Sequence, residues 1–115
     1  MNKYFMGVTK SDQFTQDQNT TATLLKALGH PARVAIIEYL MSVDTCICGD
    51  IVNELPLAQP TVSQHLKELK NAGLIKGTIE GNAICYCIDA SAIEKLKIYF
   101  QSISKNLTAK NTDCC

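Results

Sequence analysis

Six cysteines, set in three close pairs, are the residues of this chain best suited to chemistry. Cys46 and Cys48 are one residue apart, as are Cys85 and Cys87, and Cys114 and Cys115 are adjacent. Thiolates are soft ligands suited to As(III), Sb(III), Cd(II), Pb(II) or Zn(II), and the same groups can be oxidised to disulfides. Cys-x-Cys is not the redox Cys-x-x-Cys motif, and no phosphate loop, nucleophile elbow or pair of catalytic carboxylates accompanies it, so an enzyme is not expected. A second set of residues is polar. At about 100° per residue, Gln59, Ser63, Lys67 and Lys70 lie within roughly one quarter of a helix circumference, opposite a stripe of Ala58, Val62, Leu66 and Leu69. Such an arc suits the major groove of DNA, where an amide can bond an adenine edge, a hydroxyl either base type, and an ammonium a phosphate or a guanine. A solvated helix face has the same composition, so the neighbouring elements decide between the two readings.

Those neighbours read as a short helix from about Cys48 to before Pro56, a turn, the polar-faced helix, and two strand-like runs, 74–80 and 83–89. Gly81 and Asn82 join the runs and can take the positive φ angles of a tight hairpin. The expected fold is mainly α with a β-hairpin wing, a winged helix-turn-helix. Residues 1–19 form a polar arm, 20–107 the folded domain with its flanking helices, and 108–115 a polar tail. Within the domain, Leu24, Leu25 and Leu28 predict a helix ending at Gly29. Pro31 opens a second helix to about Met41, with Val34, Ile37, Leu40 and Met41 inward, and His30 sits in the joint. Ala58 offers the reader helix no side-chain cap, which Pro60 and Thr61 in its first turn partly offset. His65, at the margin of the apolar stripe, is expected to be buried or half-buried. The last helix, 90–107, repeats Ile93, Leu96, Phe100, Ile103 and Leu107 by threes and fours, a narrow seam that favours a partner helix.

The segments LKALGHPARVAIIEYL, TCICGDIVNEL, AQPTVSQHLKELKNAGLI and GNAICYCID, in this order and spacing, resemble the ArsR/SmtB family of metal- and metalloid-responsive repressors. The resemblance spans about residues 24–89. It implies a homodimer held by terminal helices, reading a two-fold symmetric double-stranded DNA operator with Gln59, Thr61, Ser63, Gln64, Lys67 and Lys70, and with Lys76 and Asn82 of the wing. It also implies that Cys46 and Cys48 ligate a thiophilic inducer, As(III) or Sb(III) or a trivalent organoarsenical. No cofactor is implied for DNA binding itself. In arsenical repressors a third cysteine follows on the same helix, but Ile51 stands there in this chain. Cys114 and Cys115 are the candidate suppliers, either completing that site or forming one of their own. Cys85 and Cys87 share a strand face and read as small residues filling strand positions, with a secondary ligand role the lesser reading. The His- and carboxylate-rich zinc site of some relatives is missing from the last helix, and the arm has no cysteine for a four-sulfur cadmium or lead site.

Composition agrees with local rather than global attraction to DNA. The 115 residues carry 11 Lys and Arg against 11 Asp and Glu, so the net charge is zero and cationic contacts must come from particular faces. No apolar run is long enough for a signal peptide or a membrane span, and a cytoplasmic location is expected. In that reducing compartment cysteines serve soft-metal binding, redox sensing or packing more readily than permanent disulfides. Two alternatives stay open: a redox- or persulfide-sensing repressor of the same fold, with Cys48 joined to a C-terminal cysteine, and a winged helix used only for protein contacts.

Overall fold

The computed structural model describes residues 13–43, 47–48, 55–80 and 83–110. The first described elements are two helices, α1 (Gln16–Leu28) and α2 (Pro31–Met41); after them come a two-residue strand β1 (Ile47–Cys48) and the helix α3 (Gln59–Ala72). The hairpin strands β2 (Ile75–Glu80) and β3 (Ala83–Ile88) lead into the long helix α4 (Ala90–Ala109).

Helix α1 starts at Gln16, four residues before the boundary expected for the folded domain at residue 20, because Thr15 and Gln18 cap it reciprocally. The Gln18 amide donates to Thr15 Oγ1 at 3.0 Å and the Thr15 amide donates to Gln18 Oε1 at 2.9 Å, satisfying two amides that the first turn leaves open. Pro31 and His30 open α2 as expected, with the Ala32 amide donating to His30 Nδ1 at 3.0 Å. The inward face of α2 differs from the expected one. Ile36 and Leu40 are buried, whereas Val34 and Met41 are exposed, Met41 at 69%. The run PARVAIIEYLM is apolar at most positions, so its periodicity fixes no phase and packing against α3 sets the rotation.

Helix α3 has no side-chain cap at Ala58, as its sequence predicts. It ends at Gly73, whose φ of 89° is the left-handed conformation that a Cβ would strain. The Leu74 amide reaches back to the Leu69 carbonyl and the Gly73 amide to that of Lys70, each at 3.0 Å, the paired bonds of a Schellman stop. The chain therefore turns at once into β2. At the far end of the wing the Asp89 amide donates to the Leu74 carbonyl at 2.9 Å, pinning the hairpin base to the end of α3. Asp89 then caps α4, accepting from the Ser91 amide at 2.9 Å.

One core joins these elements. Leu24 and Ala27 of α1, Ile36 and Leu40 of α2, Val62, Leu66 and Leu69 of α3, Leu74 and Ile75, and Ala92 and Leu96 of α4 are buried together, with Tyr86 and Ile88 of β3 packed against them. The sheet has three strands in the order β1-β3-β2, all antiparallel. This extends the expected two-stranded wing, because β1 occupies the edge of β3 that a hairpin alone leaves open.

Candidate nucleic-acid interface and cysteine sites

The stripe of α3 that faces the core consists of Val62, Leu66 and Leu69, with exposures of 0–3%, and His65 at 8%. Ala58, the fourth residue assigned to that stripe, is exposed because it precedes the helix and lies outside its contact with α1 and α2. Around the rest of the helix Thr61, Ser63, Gln64, Lys67 and Lys70 are all exposed, and Lys76 of β2 is exposed beside them in sequence. Gln59 occupies the first turn of α3. The arc is not wholly cationic: Gln64 Nε2 donates to Glu68 Oε1 at 3.2 Å, so one amide is held along the helix by an acid one turn on. Asn82 lies outside the described residues.

His65 is the polar residue built into the packed side of the reader helix. Its Nδ1 accepts from Arg33 Nε at 3.1 Å, and Arg33 also donates through a terminal nitrogen to the Ala27 carbonyl at 3.1 Å. The His30 ring lies 4.4 Å from the His65 ring, centroid to centroid. Burial holds the His65 pKa below its usual value, and the nearby His30 and Arg33 push the same way. A neutral imidazole with Nδ1 free to accept is the state this geometry requires. His65 thus fastens α3 to the start of α2 and stays off the reader face. The Arg33 anchor carries no periodic signal, and only a tertiary contact identifies it.

The cysteines depart from the expected arrangement. Cys48 is not at the start of a helix: it lies in β1, where Ile47 pairs with Tyr86 and Cys48 pairs with Cys85. Its backbone is engaged by β3. Cys85 is fully buried, yet by strand alternation it stands on the face of the sheet opposite Tyr86 and Ile88, which face the core. Cys85 and Cys87 are both disulfide-bonded. Cys46, Cys114 and Cys115 lie outside the described residues, as does the first reader helix expected between Cys48 and Pro56. Among the described residues no group of three or more His, Cys, Asp or Glu side chains is placed to hold a metal ion.

Helix α4 continues past its contact with α1. Ala92 and Leu96 are buried, but Ile98, Phe100, Ile103 and Leu107 are 44–57% exposed. No helix among the described residues is long and apolar enough to cross a membrane.

Comparison with known proteins agrees with this architecture. Residues 30–76 match the family model described as bacterial regulatory protein, arsR family. The chain is 43% identical over 63 residues to the HTH-type transcriptional repressor SmtB of Mycobacterium tuberculosis, an alignment covering 55% of this chain and 46% of that protein. It therefore spans about half the length of that relative. It is 30% identical over 91 residues to the arsenical resistance operon repressor of Staphylococcus xylosus, covering 79% of this chain and 80% of the relative. The fold of an ArsR-like transcriptional regulator from Rhodococcus sp. RHA1 superimposes with a TM-score of 0.72 at 19% identity, over 83% of this chain and 89% of that one. A polar-faced reader helix within the matched segment, a hairpin wing behind it and relatives aligned over most of both chains lead to one assignment: this chain belongs to the ArsR family of bacterial regulatory proteins.

Proposed function

We propose that the protein is a homodimeric, DNA-binding transcriptional repressor of the cytoplasm that leaves its operator when its cysteines take up a thiophilic metalloid, As(III) or Sb(III) or a trivalent organoarsenical. The observation that carries the reading is the division of α3, whose apolar side is fully packed while Thr61, Ser63, Gln64, Lys67 and Lys70 stand exposed next to the wing lysine Lys76. With Gln59 and Asn82 these residues supply base contacts and a small phosphate footprint, needing no cofactor. A chain of zero net charge relies on two such footprints, one per protomer, to hold a two-fold operator. The exposed apolar side of α4 supports the dimer, because a second copy covers Phe100, Ile103 and Leu107 across a two-fold axis.

The metalloid rests on Cys46 and Cys48, on the shortage of other ligand sets, and on the name of the staphylococcal arsenical repressor to which the chain is similar. Cys114 and Cys115 are the sequence's candidates for completing the site. Uptake of the ion favours a dimer form whose two reader helices no longer match successive major grooves. A coupling of about 1–3 kcal/mol changes operator occupancy several-fold to more than a hundredfold. The test is fluorescence anisotropy on the protein's own upstream DNA under reducing conditions, titrated with As(III), Sb(III), Cd(II) and Zn(II). Release by As(III) that is lost in the Cys46→Ser/Cys48→Ser variant is the expected result, and tight binding indifferent to every ion refutes the metalloid.

One observation favours a second reading. Cys85 and Cys87 are disulfide-bonded, so oxidation or persulfidation of cysteines, including Cys48 with a C-terminal cysteine, is an alternative signal on the same fold. Release by an oxidant and recovery with dithiothreitol, in protein free of metal, would identify it.

A further inference from the structure

We infer that Arg33 is a positioning residue for DNA reading: its guanidinium, bonded at once to His65 on the packed side of α3 and to the end of α1, fixes the roll of the reader helix. The inference rests on the reading above in one respect, that α3 is the element that meets DNA. Arg33 is half-buried near the start of α2. Its Nε donates to His65 Nδ1 at 3.1 Å, and a terminal nitrogen donates to the Ala27 carbonyl at 3.1 Å. That carbonyl needs a donor from outside its own helix. The residue four positions on, whose amide would serve it if α1 continued, is Pro31, which has no N–H. The guanidinium also sets a cation at the negative end of the α1 dipole.

Apolar burial alone does not set the angle of α3. Val62, Leu66 and Leu69 are buried against α1 and α2, but the hydrophobic effect is non-directional, so it holds the helix down and defines its rotation only loosely. Hydrogen bonds have direction. Among the described residues the bond from Arg33 to His65 is the one side-chain hydrogen bond that joins α3 to another element, since that of Gln64 stays within the helix. The His30 ring, 4.4 Å from that of His65, closes the imidazole in from the start of α2, and its own Nδ1 is held by the Ala32 amide. Because a guanidinium is planar, with its donors in fixed directions, a roll of α3 against α1 strains one bond or the other.

A small roll is enough to disturb reading. At a side-chain radius of about 5–6 Å, a rotation of about 10° moves a tip by about 1 Å, as much as separates a sound hydrogen bond from a broken one. Ser63, Lys67 and Lys70, all exposed, move together in such a roll. Base edges are read by directed bonds and feel that shift, whereas phosphates met by long lysines through charge do not. Helix α1 packs against both α3 and α4. The same guanidinium therefore relates the reader helix to the layer that carries the open seam, and in a dimer it bears on the angle between the two readers.

The experiment compares, by anisotropy with the full chain reduced and metal-free, affinity for the protein's own upstream DNA and for a random duplex of equal length. Arg33→Met keeps the apolar stem and removes every donor; Arg33→Lys keeps the charge. Wild type is expected to prefer its upstream DNA. Arg33→Met should lose at least tenfold of that preference while binding the random duplex within twofold of wild type, at a temperature where circular dichroism shows it folded. Arg33→Lys, whose single ammonium replaces a two-way fork, should fall between, and its ratio decides the matter if Arg33→Met does not fold. Added to His65→Leu, which lacks the acceptor, Arg33→Met should cost little further, because the pair acts as a unit; an undiminished further loss overturns the inference. Equal weakening on both duplexes makes Arg33 a phosphate contact and also overturns it, as does a folded Arg33→Met that keeps the full preference. These three results leave DNA reading by α3 intact. A wild type with no preference for its upstream DNA refutes that reading, and this inference with it.

Discussion

Helices α3 and α4 are both amphipathic, yet among the described residues only one finds cover for its whole apolar stripe. In α3 the apolar residues Val62, Leu66 and Leu69 are covered by α1 and α2, and what remains outside is polar. In α4 Leu96 is covered, and beyond it on the same face Phe100, Ile103 and Leu107 remain open to solvent. The comparison separates two uses of one pattern: a stripe that builds a domain and a stripe that waits for a second copy. It predicts opposite outcomes for equal truncations. Leu69→Ala leaves a cavity beneath the reader helix and should cost about 2–5 kcal/mol, measured by urea unfolding. Leu107→Ala, on the open stripe, should leave monomer stability within about 0.5 kcal/mol.

The open stripe is broken more cleanly by charge. Ile103→Glu should yield a monomer with an unchanged helical spectrum, and sedimentation should show the loss of the dimer. Anisotropy should then show at least a tenfold loss of operator affinity, because one footprint in place of two halves the phosphate contacts. A variant that stays dimeric would show that α4 is not the contact surface.

The exposed side of α3 gives a smaller effect, of the opposite kind. Ser63→Ala together with Lys67→Ala should lower operator affinity by about 1–3 kcal/mol for each base-reading interaction removed, and thermal unfolding should move little. Equal weakening on specific and random DNA would assign both residues to phosphate positioning rather than base reading.

The parts of this comparison that are legible in the sequence follow from where the signals lie. The hairpin, α2 and the last helix carry their own punctuation in Gly81-Asn82, Pro31 and the seam, and the polar arc of α3 follows from helix spacing alone. The capping box at Thr15 and Gln18 is also present as a local pattern. The rotation of α2 is not legible, since an almost wholly apolar helix has no preferred side until neighbours choose one. Nor is β1. Two residues are too few for an alternating pattern, and Ile47–Cys48 becomes a strand only because β3 has an open edge to receive it. The same face of Cys85 and Cys87 is readable from strand alternation, but their placement against Cys48 depends on that non-local pairing.

The last test concerns the seam between the two sides of α3, where His65 sits buried with Arg33 donating to its Nδ1. Burial, then His30 and Arg33, holds the pKa of His65 below the ordinary 6.5. Between the lowered folded value and the unfolded value, the unfolded chain therefore binds more protons, so stability rises with pH. The contribution is fully present above about pH 6.5 and is lost as pH falls through the folded value, where protonation removes the acceptor and sets a second cation beside the guanidinium. Urea midpoints measured from pH 8 down to pH 5 should decline below pH 6.5, and His65→Gln should flatten that part of the curve. The fully packed aliphatic positions of α3 do not titrate, so a slope that survives in His65→Gln would place the proton elsewhere. A slope that vanishes ties the reader helix to the start of α2 through one neutral imidazole.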